Sequence, residues 1–418
     1  MESRKLGPFA LPLLLLVLSV LINYIDRGNL SIAAPLLKDE LGLSASQLGI
    51  LFSAFFWTYT VMLFVCGWFI DRFDVNRILA FGFLLWSLAT ATTGVVYGFT
   101  MFLALRLLLG IGESVAFPCY CKILAQNLPE HHRGFANGAI IAGMKCGPVV
   151  GTLGAGVLMA KYGWRPVFIG IGLLSLAWLP AWIKSMPRAE VSSHPCHSPR
   201  VIEILRQRQF WATAVGGFCL AYPLYFMITW LPFYLSHEQH LSMRDMVNTA
   251  ALYYAVDAAA ALVTGWMTDF WIQRGSVAGI VRKSAMALGW TMAAIGFLGW
   301  SSAGPDSYLM WLIVTAVGCG IGNSGIWAFS QTLAGPHAVG RWTGLQNGFA
   351  NLAGVVGPAL TGFIVDWTGH FQVALVITAG VSLLSGISWV FLVGRFEQVV
   401  WSHPIKSDLV PAVPEIVK

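Results

Sequence analysis

Long runs of apolar residues recur along the whole chain, and short polar connections separate each run from the next. A helix of about 20 apolar residues crosses a membrane core roughly 30 Å thick. Twelve runs reach that length, near residues 9–36, 47–70, 77–97, 99–124, 135–160, 164–184, 209–236, 246–272, 282–302, 306–330, 340–365 and 371–394. The pattern therefore predicts an all-α membrane protein with twelve transmembrane helices.

The composition fits a membrane protein and not a soluble one. Of the 418 residues, 57% are hydrophobic and 11% are charged, and the mean hydropathy is +0.70. A soluble protein carries about 25% charged residues, which this chain lacks. The seven cysteines show no spacing typical of a metal site, so we expect no metal and no cofactor. The sequence has no nucleophile–base set or phosphate-binding loop, and we expect a protein that is not an enzyme.

Lysine and arginine lie mostly on one side of the predicted segments. Eighteen of the 25 fall on the side of the termini and the central connection, four fall on the other side and three fall inside segments. Basic connections stay in the cytoplasm. We therefore predict a multi-pass protein of the inner membrane with both termini in the cytoplasm. The net charge of +6 follows from this topology, so no nucleic-acid partner is expected.

The first six segments and the last six are copies of each other. Three motifs recur in order, because residues 67–71 match 265–269, residues 110–114 match 320–324, and residues 137–148 match 347–358. Parallel repeats of this kind form a binding site near the middle of the membrane, between halves that rock about it. The predicted units are a six-helix bundle over 1–184, a cytoplasmic linker over 185–208, a second bundle over 209–395 and a cytoplasmic tail over 396–418.

Two motifs of the first half resemble signatures of the major facilitator superfamily. One follows the second segment and reads Gly-x-x-x-Asp-Arg-x-x-x-x-Arg, from Gly67 to Arg77. The other reads Arg-x-x-x-Gly-x-Gly, from Arg106 to Gly112. The resemblance implies the twelve-helix fold of that superfamily and a gating role for Asp71, Arg72 and Arg77. Asp74 replaces the usual glycine of the first motif, which would weaken its gating contacts.

Within the superfamily, residues 24–31 (Tyr-Ile-Asp-Arg-Gly-Asn-Leu-Ser) resemble the first helix of the anion:cation symporter family, and so does Arg106 with Glu113. That family includes galactonate, glucarate and hexuronate carriers. The resemblance implies proton-coupled symport of a small carboxylate by a monomer in the lipid bilayer. It implies that Arg27 binds the carboxylate and that Asp26, Glu113 and Arg106 couple protons. Further substrate contacts are implied for four residues, Tyr59, Ser324, Trp327 and Asn347.

Six ionisable side chains fall inside predicted membrane segments, namely Asp26, Arg27, Arg106, Glu113, Lys145 and Asp257. Burying a charge in the membrane is costly, so each of these six side chains should be paired or functional. One sufficient explanation is that they neutralise one another and fix the packing of the helices, without a role in transport. Neighbouring helical residues point about 100° apart. We therefore expect Asp26 to turn toward Arg106 and Glu113, and Arg27 to face the central cavity. A guanidinium can hold a carboxylate through two parallel hydrogen bonds.

Lys145 and Asp257 have three interpretations. Both fall about 15 Å deep in their segments, near the membrane midplane. They can pair across the two halves, which would give Asp257 a gating role. Alternatively, Lys145 binds a second substrate carboxylate, or it is a structural lysine turned away from the cavity. The sequence leaves these alternatives open.

Three functions compete at this stage. The first is a proton-coupled symporter for a small organic anion such as a sugar acid. The second is an efflux antiporter, because glycines at 134, 143, 147 and 151 with Pro148 nearly match the drug-antiporter signature. The third is a transporter-like sensor, which would need a larger loop or tail for a signalling partner. We favour the symporter, because a buried arginine suits small anions better than lipophilic drugs.

Overall fold

The computed structural model describes residues 9–128, 130–186, 199–304, 306–335, 338–399 and 401, and no strand occurs within these ranges. The helices of the first half are α1 (Ala10–Leu41), α2 (Ala45–Arg72), α3 (Val75–Thr93), α4 (Phe99–Ser114), α5 (Ala116–Asn127), α6 (Glu130–Tyr162), α7 (Trp164–Leu176) and α8 (Trp178–Ser185). A short helix, α9 (Val201–Leu205), precedes the second half. That half comprises α10 (Arg208–His237), α11 (Met243–Gln273), α12 (Ala278–Ser301), α13 (Tyr308–Asn323), α14 (Ile326–Ala334), α15 (Val339–Thr368) and α16 (Gln372–Ile387), with a π-helical turn over Ser388–Leu392.

These helices occupy the positions of the twelve predicted segments. Ten stretches of the described chain are long and apolar enough to cross a membrane. The helix α12 and the shorter apolar helix α13, which α14 continues, fill the two remaining positions. The prediction of an all-helical membrane protein is confirmed. Most of the predicted linker and of the predicted tail lies outside the described residues.

Helix packing in the second half repeats the packing in the first. Within the first half α1 packs on α6, α2 on α4, and α3 on α7. The equivalent pairs of the second half are α10 with α15, α11 with α13, and α12 with α16. Between the halves, α2 contacts α15 and α6 contacts α11. Because α2 is equivalent to α11 and α15 is equivalent to α6, these two contacts are also copies of each other. The repeat in the sequence is therefore also a repeat in packing, while the exact residue bounds of the two units stay a prediction.

The repeated Gly-x-Gly motif allows the same close helix crossing in each half. A Cβ atom at Gly110 of α4 would overlap the carbonyl oxygen of Phe55 in α2. In the second half, a Cβ atom at Gly320 of α13 would overlap the carbonyl oxygen of Asp257 in α11. Only glycine permits backbones to approach this closely. These crossings hold both Phe55 and Asp257 at the centre of the molecule.

Three predicted segments are broken, which the sequence interpretation did not anticipate. The fourth is divided at Val115 into α4 and α5, and the tenth at Ser324 and Gly325 into α13 and α14. The sixth is divided at Ala177. The serine that ends each copy of the Gly-x-Gly motif donates a hydrogen bond to the carbonyl three residues earlier, Ser114 Oγ to Ile111 O at 2.7 Å and Ser324 Oγ to Ile321 O at 2.8 Å. Such bonds compete with the helical ladder and bend helices.

The two halves are joined tightly at the end of the bundle opposite to α8 and α9, which we call the opposite end. Asp366, near the end of α15, accepts hydrogen bonds from the first backbone N–H groups of α2, from Ala45 N at 2.9 Å and Ser46 N at 2.7 Å. A carboxylate at a helix N-terminus is stabilised by the helix dipole. Lys38 of α1 lies 5.1 Å from the ring centroid of Phe233 in α10. These contacts close the space between the halves at the opposite end.

Substitution of Gly320 by alanine should destabilise the protein. The added methyl group would overlap the backbone of α11, and overpacking of this kind costs about 1–3 kcal/mol. Gly380→Ala is the matched control, because a Cβ at Gly380 has no atom within 4 Å and alanine favours a helix. Thermal unfolding in detergent should show a lower melting temperature for Gly320→Ala only. Equal melting temperatures for the two variants would contradict the proposed close contact.

Candidate functional site

A cavity with a volume of about 100 Å³ lies between the two halves. Helices α1, α2, α4 and α6 form its wall on one side, and α10 and α11 form the other side. Its fourteen lining residues are Tyr24, Arg27, Phe52, Phe55, Phe56, Arg106, Met144, Pro148, Leu224, Tyr225, Ile228, Thr229, Tyr254 and Asp257. Three of the six predicted buried charges therefore meet here, and the cavity is the candidate binding site.

A larger groove of about 440 Å³ lies between α2, α3 and α4 and is lined from the first half alone. Its wall is almost entirely apolar and includes Phe69, Phe73 and Phe81, all exposed. None of the six predicted membrane charges lines it. A site between the halves can be closed and opened by their motion, whereas this groove cannot. We therefore assign the smaller cavity as the candidate site.

Arg27 forms the central ion pair of the site. Its Nε donates to Glu113 Oε2 at 2.8 Å, and the two side chains are 9% and 0% exposed. Three aromatic rings surround the guanidinium, because its Cζ lies 4.8 Å from the ring centroid of Tyr24, 5.0 Å from that of Phe55 and 4.7 Å from that of Tyr59. Ring faces stabilise a buried cation. The arginine is thus held at the cavity wall with its charge intact.

The pairing adds a contact to the predicted arrangement. Arg27 lines the cavity as expected, but it also holds Glu113, a pair that the sequence did not predict. Asp26 is buried and accepts a hydrogen bond from Asn29 Nδ2 at 3.4 Å. Asp26 also lies close enough to Glu113 and Arg106 to interact with them electrostatically, as expected. The long side chain of Arg27 reaches the level of Glu113.

Arg106 occupies a separate part of the same wall. Its Nε donates to the carbonyl oxygen of Leu51 at 3.2 Å, and its Cζ lies 5.2 Å from the ring centroid of Phe55. The side chain is buried and lines the cavity. Both arginines therefore contact the ring of Phe55, one from α1 and the other from α4. Two guanidinium groups of the first half therefore line the cavity, together with the carboxylate of Asp257 from the second half.

The other predicted substrate contacts lie outside the lining of this cavity. Tyr59 is buried behind it, where its ring stacks on Phe55 with the centroids 5.1 Å apart. Ser324 lies at the break between α13 and α14, and Trp327 is 43% exposed. Asn347 accepts hydrogen bonds from Asn351 Nδ2. The substrate contacts predicted for Ser324, Trp327 and Asn347 are not made in this cavity and stay predictions.

The remaining predicted positions are placed only in part. Asp257 is buried and lines the cavity from α11. The side chains of Lys145 and Asp71 lie outside the described residues, so the pairing of Lys145 with Asp257 stays a prediction. Arg72 and Arg77 are exposed at the junction of α2 and α3. Asp74, the departure from the superfamily pattern, caps α3 by accepting from the backbone N–H of Asn76 at 2.8 Å.

The sequence analysis did not single out several polar residues that the second half contributes at or next to the site. Tyr225 of α10 donates to Asn351 Oδ1 at 2.7 Å and packs against Phe56 with ring centroids 4.3 Å apart. Asn351 lies one turn after Asn347, a helical spacing that could have drawn attention to it. Thr229 lies one turn after Tyr225 and lines the cavity as well. The i, i+4 spacing of these polar pairs was the available signal.

Comparison with known proteins agrees with this architecture. The family model described as Major Facilitator Superfamily matches residues 16–335 and 249–414. The chain belongs to the Major Facilitator Superfamily. It is 28% identical to the "Hexuronate transporter" of Bacillus subtilis (strain 168), covering 95% of this chain and 96% of that protein. It is 29% identical to the "Probable L-galactonate transporter" of Escherichia coli (strain K12), covering 91% of this chain and 88% of that protein.

Solved structures support the same fold. A bacterial homologue of the human lysosomal transporter Spinster superimposes with a TM-score of 0.74 at 18% identity, covering 94% of this chain and 97% of the other. The superfamily and the relatives are transporters, so this member of the Major Facilitator Superfamily is a multi-pass membrane transporter. The predicted superfamily, its fold and the likeness to sugar-acid carriers are confirmed.

Proposed function

We propose that this protein is a proton-coupled symporter of a small organic carboxylate that works by alternating access. The names of its relatives, which include a hexuronate and an L-galactonate transporter, support an organic acid as the substrate. Sugar acids are accordingly the first compounds to test. The observation that carries the proposal is the ion pair of Arg27 and Glu113 at the wall of a cavity between the halves.

Arg27 has unused capacity for an anion. A guanidinium offers five N–H donors, and only Nε is engaged by Glu113. The Nη2 atom is buried and has no hydrogen-bond partner among the described residues. A buried donor without a partner costs free energy, which a ligand carboxylate would recover. The same arginine can therefore hold Glu113 through one edge and a substrate through its outer nitrogens.

Charge balance couples the proton to the substrate. In the ionised state, Asp26 and Glu113 balance Arg27 and Arg106, and the predicted pairing with Lys145 would balance the Asp257 carboxylate, so the buried groups together are neutral. Binding an anionic substrate would leave one uncompensated negative charge in a medium of low dielectric, which is unfavourable. Protonation of Glu113 restores neutrality and loosens its hold on Arg27. Binding of the proton then favours binding of the substrate, and binding of the substrate favours binding of the proton, which is the coupling that symport requires.

Alternating access would use the contacts at the opposite end of the bundle. The cap that Asp366 places on the N-terminus of α2 must break for the cavity to open there. The excess of lysine and arginine near α8 and α9 supports a cytoplasmic location of that end, in the inner membrane. Rocking of the halves would then expose the site to each side in turn.

The glycine pattern that suggested an efflux antiporter has a packing explanation. A Cβ atom at Gly143 would lie 2.8 Å from Val20, and one at Gly151 would lie 3.1 Å from Ile25. The glycines of α6 therefore allow it to pack closely against α1. This contact favours the symporter, because the pattern no longer requires an export function.

Transport by the purified protein in proteoliposomes tests the proposal. Radiolabelled D-glucuronate and D-galactonate should exchange across the membrane, and an inward proton gradient should drive their accumulation. For one proton per substrate, accumulation should rise about tenfold per pH unit, because a pH unit corresponds to about 1.4 kcal/mol. A protonophore should abolish the accumulation of substrate, because it dissipates the proton gradient. Exchange without any response to the proton gradient would exclude proton coupling.

A further inference from the structure

The wall of the cavity is much less polar than its two arginines suggest. Ten of its fourteen lining residues are aromatic or aliphatic. Six of those are aromatic, namely Tyr24, Phe52, Phe55, Phe56, Tyr225 and Tyr254. Binding sites use a few polar groups to orient a ligand and apolar walls to hold its body. The body of the ligand held here should therefore be largely apolar.

The hydroxyl groups in the wall are already engaged with the protein. Thr229 Oγ1 donates to the carbonyl oxygen of Tyr225 at 2.7 Å, and Tyr254 Oη donates to that of Met227 at 3.3 Å. Tyr225 Oη donates to Asn351 Oδ1 at 2.7 Å. Three of the four hydroxyl-bearing lining residues thus have no proton left to donate to a ligand. The polar groups that remain in the wall are the guanidinium groups of Arg27 and Arg106, the carboxylate of Asp257 and the hydroxyl of Tyr24. These are too few partners for a substrate carboxylate together with several buried hydroxyl groups, which weakens the binding of a polyhydroxy acid.

The aromatic rings adjoin the anion-binding groups directly. Phe55 contacts both arginines, and its ring lies 4.9 Å from that of Phe56 in an edge-to-face arrangement. Phe56 in turn contacts Tyr225 across the two halves, with ring centroids 4.3 Å apart. Edge-to-face and offset contacts are favourable for a further planar ring. A carboxylate on Arg27 would place its own body against this aromatic cluster.

We propose that the preferred substrate is a carboxylate on an apolar ring, aromatic or alicyclic and with few or no hydroxyl groups. This inference rests on the proposed function and narrows its substrate class in a direction that the relatives' names do not give. The cavity is also small, with a volume of about 100 Å³. A small cavity favours a compact ring acid over a polyhydroxy acid of the same carbon skeleton, whose hydroxyl groups need additional space.

Matched ligands test the inference with the full-length protein. Cyclohexanecarboxylate and quinate share a six-membered ring and a carboxylate and differ in hydroxyl groups, while benzoate and D-glucuronate extend the series. Thermal shift in detergent and competition against counterflow in proteoliposomes measure binding. We expect benzoate and cyclohexanecarboxylate to bind at least about tenfold more tightly than quinate and D-glucuronate, the effect of one or two unpaired buried hydroxyl groups.

The outcomes separate this inference from the proposed function. Tighter binding of quinate or D-glucuronate than of the apolar acids, with exchange intact, overturns the inference and leaves the carboxylate symporter standing. A protein that unfolds cooperatively but neither binds nor exchanges any of the four acids contradicts the proposed function and the inference together. Equal binding of all four acids overturns the inference as well.

A change in the wall provides a second, independent test. Leu224→Asn places an amide in the cavity with the same number and branching of side-chain heavy atoms, and it should lower the preference for benzoate over quinate at least about tenfold. Leu309→Asn is the matched control, because Leu309 is exposed at the start of α13 and does not line the cavity. If Leu224→Asn melts like the unmodified protein and keeps the same preference, the wall does not select the substrate.

Discussion

Substitution of Glu113 by glutamine should abolish uphill accumulation of substrate while exchange of substrate across the membrane continues. Glutamine has the shape of a protonated glutamate and cannot titrate, so the site would remain in its substrate-accepting state. Its side-chain oxygen can still accept from Arg27 Nε, which Glu113 does now at 2.8 Å. With the proton step removed, the internal concentration should rise only to the external one, at any proton gradient. Transport in proteoliposomes with and without an imposed gradient measures both quantities.

Glu40→Gln is the control for this prediction. Glu40 also pairs with an arginine at 2.8 Å, Arg165, but this pair is partly exposed and lies at the opposite end of the bundle. Exposed ion pairs contribute about 0–1 kcal/mol. The control should therefore retain accumulation. If Glu113→Gln still concentrates substrate, another carboxyl carries the proton, and Asp26 is the next residue to substitute.

Replacement of Arg27 by lysine should impair transport nearly as much as replacement by alanine. Lysine keeps the charge, but its ammonium lacks the planar fork with which a guanidinium holds Glu113 through Nε and a substrate carboxylate through two parallel hydrogen bonds. Charge-assisted hydrogen bonds are worth about 1.5–3 kcal/mol each, so losing one to the substrate lowers transport by about 10- to 100-fold. Counterflow rates for Arg27→Lys and Arg27→Ala, with expression and melting temperature as checks on folding, measure the effect.

Arg165→Lys is the matched control for the arginine series. Arg165 also pairs with a glutamate and has its Cζ 4.1 Å from the ring centroid of Tyr97, yet it lies far from the cavity. This variant should transport at close to the normal rate. Normal transport by Arg27→Lys would mean that Arg27 is structural and that the anion binds elsewhere, with Arg106 the remaining cation of the cavity wall.

The sequence by itself determined the framework of the molecule. The length of the apolar runs located the membrane helices, because lipid can satisfy no backbone hydrogen bond and each crossing must therefore be helical over most of its length. The internal repeat required two equivalent halves, and the structure shows equivalent helix pairs. The cost of burying charge also identified Arg27, Arg106 and Glu113 in advance, since such residues persist in a membrane only when paired or functional.

Only the tertiary structure decided how those residues are combined. Helical periodicity gives the direction of Asp26 relative to Arg27, but it does not give the depth at which a side chain from another helix arrives, so the sequence did not predict the ion pair of Arg27 with Glu113. The breaks at Val115 and Ser324 depend on competition between side-chain and backbone hydrogen bonds, which an apolar run does not reveal. The aromatic part of the cavity wall depends on residues from four helices meeting at one place. Contacts of this kind arise from packing between distant segments, and no local pattern in the chain records them.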